Sequence, residues 1–486
     1  MGRTTIAMAL TLAALGCGSG GGGGSDDAEV SSGPVSGEAS DTFVQIPTDV
    51  GNVWCRIFFP EEAHGYRFGT VGPVVVYTGG NTTAWSLDGT IKTSVADFER
   101  LVREGFIVIT WHLPGTFESI DGTTYASDGT FDYRGDDTIA ALRDVLKFAM
   151  GSLTTADGRT LKEIAPGAQI SNVGLVGFSN GGNLSWATLD RYGSELTGLD
   201  WYVGYETPID NEIRAVGRVH SDPDPGSDGT DSGFTTDDGF NPHAGTCTEA
   251  GGWDFDTDKL VYNTTSGKNM KVKFDDGTEV IIPGVIFFDG NGNAWPDHVM
   301  GNFDVNGNGK FDTSEDFQIG GNPVEIDGVK KIVLPIRVRE AMSGLHWRIA
   351  TGTETIEYWA KREMAASIPV AAVQVPNLRT ILFYSKLDHD LPAFPGNSHA
   401  HVYSAYALHA DNGLWVRLNP GLSHVEDIFS REGVAIPVSY VENAANLSKS
   451  TALGQMHELA APDATDHYWL YLAASACELA DDLFSP

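Results

Sequence analysis

The chain has 486 residues, with 65 acidic against 31 basic side chains and a formal net charge of −34. Nothing in that balance neutralises phosphates, which argues against nucleic acid as a partner. Hydrophobic residues make up 41% of the chain, so one large or two medium domains can bury a substantial core.

The N-terminal segment reads as an export signal. Arg3 precedes an apolar run over residues 6–15, too short to span a bilayer as a mature helix. No other stretch reads as transmembrane. The order Ala14-Leu15-Gly16-Cys17 is similar to a bacterial lipobox, although leucine is commoner where Ala14 stands. It implies cleavage before Cys17 and lipidation of that cysteine; an ordinary secretory signal cleaved nearby is the alternative. Residues 1–17 are thus expected to form a lipoprotein signal peptide. Residues 18–41, nearly pure glycine and serine and then polar and acidic, are expected to form a flexible tether. The mature chain is expected in a bacterial cell envelope, lipid-anchored or secreted, touching membrane only through its lipid. With Cys17 modified, Cys55, Cys247 and Cys477 remain. An exported protein can pair two of these and leave one free, and spacing does not choose the pair.

Folded structure is expected from residue 42. Residues 43–47 and 53–60 read as two strands joined by a turn at Asp49-Val50-Gly51. Residues 72–78 read as a buried strand running into the glycine loop Gly79-Gly80-Asn81. A short helix over 98–105 and a buried strand over 106–111 follow. Residues 136–150 make a helix with Ile139, Leu142, Val145, Leu146 and Phe148 on its apolar side. Another apolar run leads into Gly177-Phe178-Ser179-Asn180-Gly181, and an amphipathic helix follows to Tyr192. Residues 199–205 are the next strand. Strands alternating with helices predict a parallel sheet covered on both faces.

The stretch from Gly177 to Gly181 is the chain's one Gly-x-Ser-x-Gly. Strand, sharp turn and helix are the context that a nucleophile elbow needs. The flanking glycines avoid collision with neighbouring backbone, and the first amides of the helix offer partial positive charge to an oxyanion.

Together these residues resemble the α/β-hydrolase superfamily over roughly residues 42–209 and 376–486, with residues 210–375 as a large insertion, or cap, after the strand that follows the elbow. The resemblance implies an α/β fold with a mostly parallel, doubly wound sheet. It also implies a serine nucleophile at Ser179 and oxyanion amides at Gly80 and Asn180. The segment Asp132-Tyr133-Arg134-Gly135-Asp136-Asp137 resembles the family's turn into the helix before the elbow. The family's triad runs in the order serine, acid, histidine. After the insertion, an apolar strand over 379–384 leads to Asp388, with Asp390 as the rival acid. The strand over 414–420 leads to His424, which stands where the family keeps its base. His399 and His401 compete less well because they precede a helix rather than follow the last strand.

Within the insertion, residues 221–239 read as loop. Residues 270–283 read as a hairpin with the turn Asp276-Gly277, and residues 355–366 as a helix. Residues 304–315 match the twelve-position calcium loop. Asp304, Asn306, Asn308, Asp312 and Glu315 supply oxygens, Lys310 its carbonyl, and Gly309 the sixth-position glycine. A weaker copy starts at Asp289, with Ala294 in place of glycine and Met300 in place of glutamate. The expected cofactor is a structural Ca2+ ion that pins the insertion.

The chemistry expected is acyl transfer to water. Ser179 attacks an ester carbonyl, His424 moves the proton, and Asp388 orients the imidazole. The substrate is a small-molecule or polymeric carboxylic ester. A peptidase or amidase of the same fold is the nearest alternative. A second alternative is a surface binding protein that uses the hydrolase fold as a scaffold for a calcium-stabilised insertion. The sequence carries no signal of oligomeric state.

Overall fold

The computed structural model describes residues 39–61, 65–79, 100–120, 122–132, 134–178, 180–205, 207, 324–334, 336–341, 347–362, 364–383, 414–417, 424 and 468–484. It also describes the backbone of short strands between residues 247 and 304. Eight strands form one sheet. β1 (Ala39–Thr48) and β2 (Gly51–Pro60) are a hairpin in which Thr48 pairs with Gly51. Gly51 has φ +113°, a backbone state that side chains rarely adopt, and a Cβ there would lie 2.5 Å from Asp128 Cβ. The next strands are β3 (Gly72–Thr78), β4 (Ile107–Trp111), β5 (Ala168–Phe178), β6 (Trp201–Tyr205), β7 (Arg379–Phe383) and β8 (Val416–Arg417).

Every residue of β3, β4 and β6 is buried. That is why these segments are continuous apolar runs without alternation. The spatial order is β1-β2-β4-β3-β5-β6-β7-β8. The pairs β1/β2 and β2/β4 are antiparallel, and every later pair is parallel. This is the α/β-hydrolase fold: a mostly parallel sheet with helices on its faces.

Consecutive side chains of β6 show how both faces are covered, because they point to opposite sides of the sheet. Trp201 donates Nε1 to Asn172 Oδ1 at 3.0 Å. Asn172 in turn donates to the Ala480 carbonyl at 2.8 Å, on the helix Tyr468–Asp482. Tyr202 meets Trp186 edge-on, 4.8 Å between centroids, on the helix Asn180–Tyr192. We name the helices α1 (Asp136–Ala149), α2 (Asn180–Tyr192), α3 (Gly352–Ala360), α4 (Met364–Gln374) and α5 (Tyr468–Asp482). Ile139, Leu142, Val145, Leu146 and Phe148 of α1 are all buried in the main core.

The insertion contains the hairpin read from sequence. Asn269–Lys273 pairs antiparallel with Glu279–Pro283, from Asn269 opposite Pro283 to Lys273 opposite Glu279. The single helix expected over 355–366 is instead two. α3 starts at a capping box, Thr351 with Glu354, and ends at Ala360; α4 begins at Met364. α4 packs against α2, and Ile368, Ala371 and Ala372 join the main core. The stretch assigned to the insertion from sequence therefore ends in a helix that serves the sheet. Val324, Val333, Ala350 and Trp359 form a separate small core. Cys55 and Cys477 are buried and form no disulfide among the described residues. No helix among the described residues is long and apolar enough to cross a membrane.

α5 is fixed by charge at its C-terminal end. Arg67 grips Asp481 with two bonds, at 2.5 and 2.6 Å. Arg379 reaches Asp482 at 2.8 Å, and Arg417 pairs with Glu478. Burial pushes the Asp481 carboxyl up, but hydrogen bonds and charge from His424 and Arg67 outweigh it and hold the group below its ordinary pKa. A lowered folded pKa contributes stability that is complete above the ordinary carboxylate range. That stability fades as pH falls through the lowered value. Asp481→Asn is therefore expected to cost about 1 kcal/mol at neutral pH, after allowance for its partial exposure. The gap from wild type should shrink in urea melts carried out at progressively lower pH; a gap that stays constant across the acid range would refute the linkage.

Candidate active site

β5 ends at Phe178 and α2 begins at Asn180, so one residue, Ser179, separates strand from helix. Ser179 itself lies outside the described residues. Its neighbours define a turn with no spare room. A Cβ on Gly177 would stand 2.5 Å from Gly182 Cα and 2.7 Å from the Tyr202 hydroxyl. On Gly181 it would stand 2.0 Å from the Thr78 carbonyl oxygen, and on Gly182 2.0 Å from Thr207 Oγ1. All three are below any distance that real Cβ atoms keep. The glycines are required by close approach, not by unusual φ.

The contact of Gly181 with Thr78 has a second meaning. Thr78 is the last residue of β3, and the glycine loop leaves from it. Gly79 O would lie 2.6 Å from a Cβ on Gly181. The end of β3 thus arrives at the first turn of α2, and Gly80 is next in the chain. Gly80 is outside the described residues. Asn180, the other expected oxyanion donor, is half-buried at the head of α2. Its side-chain Oδ1 is buried with no hydrogen-bond partner among the described residues.

No acidic residue stands in the first turn of α2. The partial positive charge of the helix start is therefore left uncompensated by the helix's own side chains, which favours a negative charge there. The turn is supported from beneath. Ser185 Oγ donates to the Gly181 carbonyl at 2.7 Å, and Trp111 Nε1 to Thr78 Oγ1 at 3.3 Å. Phe178 stacks on Tyr205, 4.6 Å between centroids. Burial pushes the Tyr202 phenol up, so it stays neutral beside the elbow.

The remaining expected site residues fall as follows. Asp388 and its rival Asp390 lie outside the described residues. His424 is described, and it stands against Asp481, with Nε2 3.2 Å from Oδ2. Asp481 is held by Arg67, whose amide bonds the Gly105 carbonyl just ahead of β4. That is the edge where the parallel strands start, whereas the elbow follows the end of β5. The described contact of His424 is thus made from the start of the parallel strands, and Ser179, its expected partner, lies outside the described residues. His112, the other histidine whose side chain is described, follows β4 on the elbow's edge and lies buried 3.4 Å from Glu118. Sequence reasoning missed Thr207, Tyr202 and the Asp481 partner, because no local spacing signals them. Asp304 closes a two-residue strand, Phe303–Asp304, paired with Asn269 and Met270. Asn306, Asn308, Lys310, Asp312, Glu315, the weaker loop at Asp289 and Cys17 lie outside the described residues.

No family model matches the chain, and no curated protein matches it. Solved structures match part of it. A thermostable carboxylesterase cloned from a metagenomic library shares 20% identity over 35% of this chain and 48% of its own, with a TM-score of 0.25. A hyperthermophilic esterase from the archaeon Pyrobaculum calidifontis shares 16% over 38% and 51%, with a TM-score of 0.27. A serine hydrolase without a lid from Xanthomonas campestris shares 16% over 35% and 62%, with a TM-score of 0.24. The chain thus spans less than two thirds of the length of each. Likeness at this level does not speak to activity, and the fold rests on the strand order itself.

The glycine contacts make a direct prediction. Gly181→Ala forces a methyl into the Thr78 carbonyl and is expected to cost about 3 kcal/mol or more. Gly352→Ala, where nothing lies within 4 Å of the new methyl, is expected to be silent. Urea melts of the two variants decide; equal stabilities would mean that the turn is loose.

Proposed function

We propose that this chain is a serine hydrolase that cleaves carboxylic esters through an acyl-enzyme intermediate, with Ser179 as nucleophile. The observation that carries this reading is the one-residue handover from β5 to α2, enforced by Gly177, Gly181 and Gly182. The Ser179 oxygen would bond to the ester carbonyl carbon while its proton passes to an imidazole. The amides of Gly80 and Asn180 would hold the oxyanion. Collapse of the tetrahedral intermediate breaks the bond to the alcohol, which leaves with that proton. Water then repeats the sequence and releases the acid.

In this reading His424 is the base and Asp388 orients it, on the strength of chain order after the insertion. His424 Nε2 lies 3.2 Å from Asp481 Oδ2. An amide substrate is the nearest variant of the same mechanism, and a panel of matched esters and amides separates the two. We also propose export with a lipid on Cys17, and Ca2+ bound by Asp304, Asn306, Asn308, the Lys310 carbonyl, Asp312 and Glu315. The pairing of Asp304 with the 269–283 hairpin suits a metal that ties a loop to a sheet.

A fluorophosphonate probe is expected to modify Ser179, as mapped by mass spectrometry, and Ser179→Ala to abolish both labelling and turnover in a folded protein. His424→Ala should lower kcat by about 10⁴-fold, with Asp388→Asn far more damaging than Asp390→Asn. Retained activity in His424→Ala, with loss in His112→Ala, would move the base to the end of β4. A chelator is expected to lower the melting temperature more than the rate measured well below it. Immediate loss of turnover with the fold intact would make calcium part of the active site.

A further inference from the structure

Where the insertion returns to the core, one buried side chain joins three elements. Arg362 lies between α3 and α4. Its guanidinium donates to the Tyr358 carbonyl at 2.7 Å and to the Asp132 carbonyl at 2.6 Å. It also lies over the Tyr358 ring, 3.6 Å from the centroid. The Arg362 carbonyl accepts from Asn183 Nδ2 at 2.9 Å, and Asn183 is buried in α2 about one helical turn beyond Ser179.

The turn that Arg362 grips is itself rigid. The Asp132 carboxylate accepts from the amides of Gly135, Asp137 and Thr138 at 2.9, 2.8 and 3.3 Å. Lys361 adds an ion pair with Asp136 at the head of α1. The elbow does not depend on this joint, because Gly177, Gly181 and Gly182 hold it against Tyr202, Thr78 and Thr207. What the joint fixes is the attitude of the insertion's return segment, residues 347–362, beside the first turns of α2.

We propose that Arg362 is a specificity-determining positioning residue. It clamps the return segment at the rim of the Ser179 site and so limits the size of the group that can reach the serine. This rests on Ser179 as nucleophile. The task suits arginine, whose planar fork bonds two carbonyls while its face stacks on a ring; a lysine keeps the charge but neither geometry. Loss of the fork frees the segment and leaves the elbow's own contacts in place.

The test labels the full chain with a small ethyl fluorophosphonate and with a bulky, branched one, and compares wild type, Arg362→Gln and Arg362→Lys. In Arg362→Gln the small-probe rate should hold within about twofold and the bulky-probe rate rise about fivefold, the scale of one or two hydrogen bonds. Arg362→Lys should resemble Arg362→Gln. An unchanged ratio, an equal fall of both rates, or wild-type selectivity in Arg362→Lys would overturn the proposal. Hydrogen exchange on the same proteins should quicken over residues 347–362 and not over 180–192. If the wild type is not labelled at Ser179, the serine reading fails and takes the selectivity role with it. Exchange then reports separately whether Arg362 holds the segment.

Discussion

The structure depends on how closely the first turn of α2 lies against the end of β3. Backbone meets backbone there, with Gly181 under the Thr78 carbonyl and Gly177 against Gly182. No side chain larger than hydrogen fits at these points. Close packing on this scale makes the arrangement all-or-none, since neither segment can give way without moving its whole strand or helix. It brings two things to one place: the chain position between Phe178 and Asn180, and the exit of the glycine loop after Gly79. The sheet order follows from the same requirement, since β3 must lie beside β5 for its end to reach α2.

Helix ends show how the chain uses its charge. α1 carries Asp136 and Asp137 in its first turn and Lys147 in its last, and α3 carries Glu354 in its first. Each complements the local helix dipole. α2, like α4 and α5, has no acid in its first turn. In a chain with twice as many acids as bases, that omission keeps the positive end of the elbow helix available. The basic residues are correspondingly committed elsewhere: Arg191 and Lys361 to Asp136, Lys331 to Glu354, and Arg67 to Asp481.

The legible parts of the sequence were those whose signal is local. β3, β4 and β6 are unbroken apolar runs, α1 has a clear apolar stripe, the insertion hairpin alternates around Asp-Gly, and the elbow announces itself through spaced glycines. What escaped was tertiary. Residues 355–366 have continuous helical character, yet α3 ends at Ala360; Lys361 keeps helical dihedrals, and the side chains of Lys361 and Arg362 reach Asp136 and the Asp132 carbonyl. α4 carries Pro369 within it and reads as part of an irregular insertion until its packing on α2 is seen. His424 sits at the expected place in chain order, but its partner Asp481 is brought to it by the docking of α5, which no spacing near either residue encodes.

That docking bears on how the protein comes to be folded. The bond between Arg67 and Asp481 spans 414 positions of the chain. Asn172, in the middle of the sheet, reaches 308 positions forward to the Ala480 carbonyl. One face of β5, β6 and β7 therefore stays bare until α5 has been synthesised. Contacts of such long range are slow to form, and nascent sheets with uncovered apolar faces linger in states open to chaperones and to misassociation. The face is closed by the last described element in chain order.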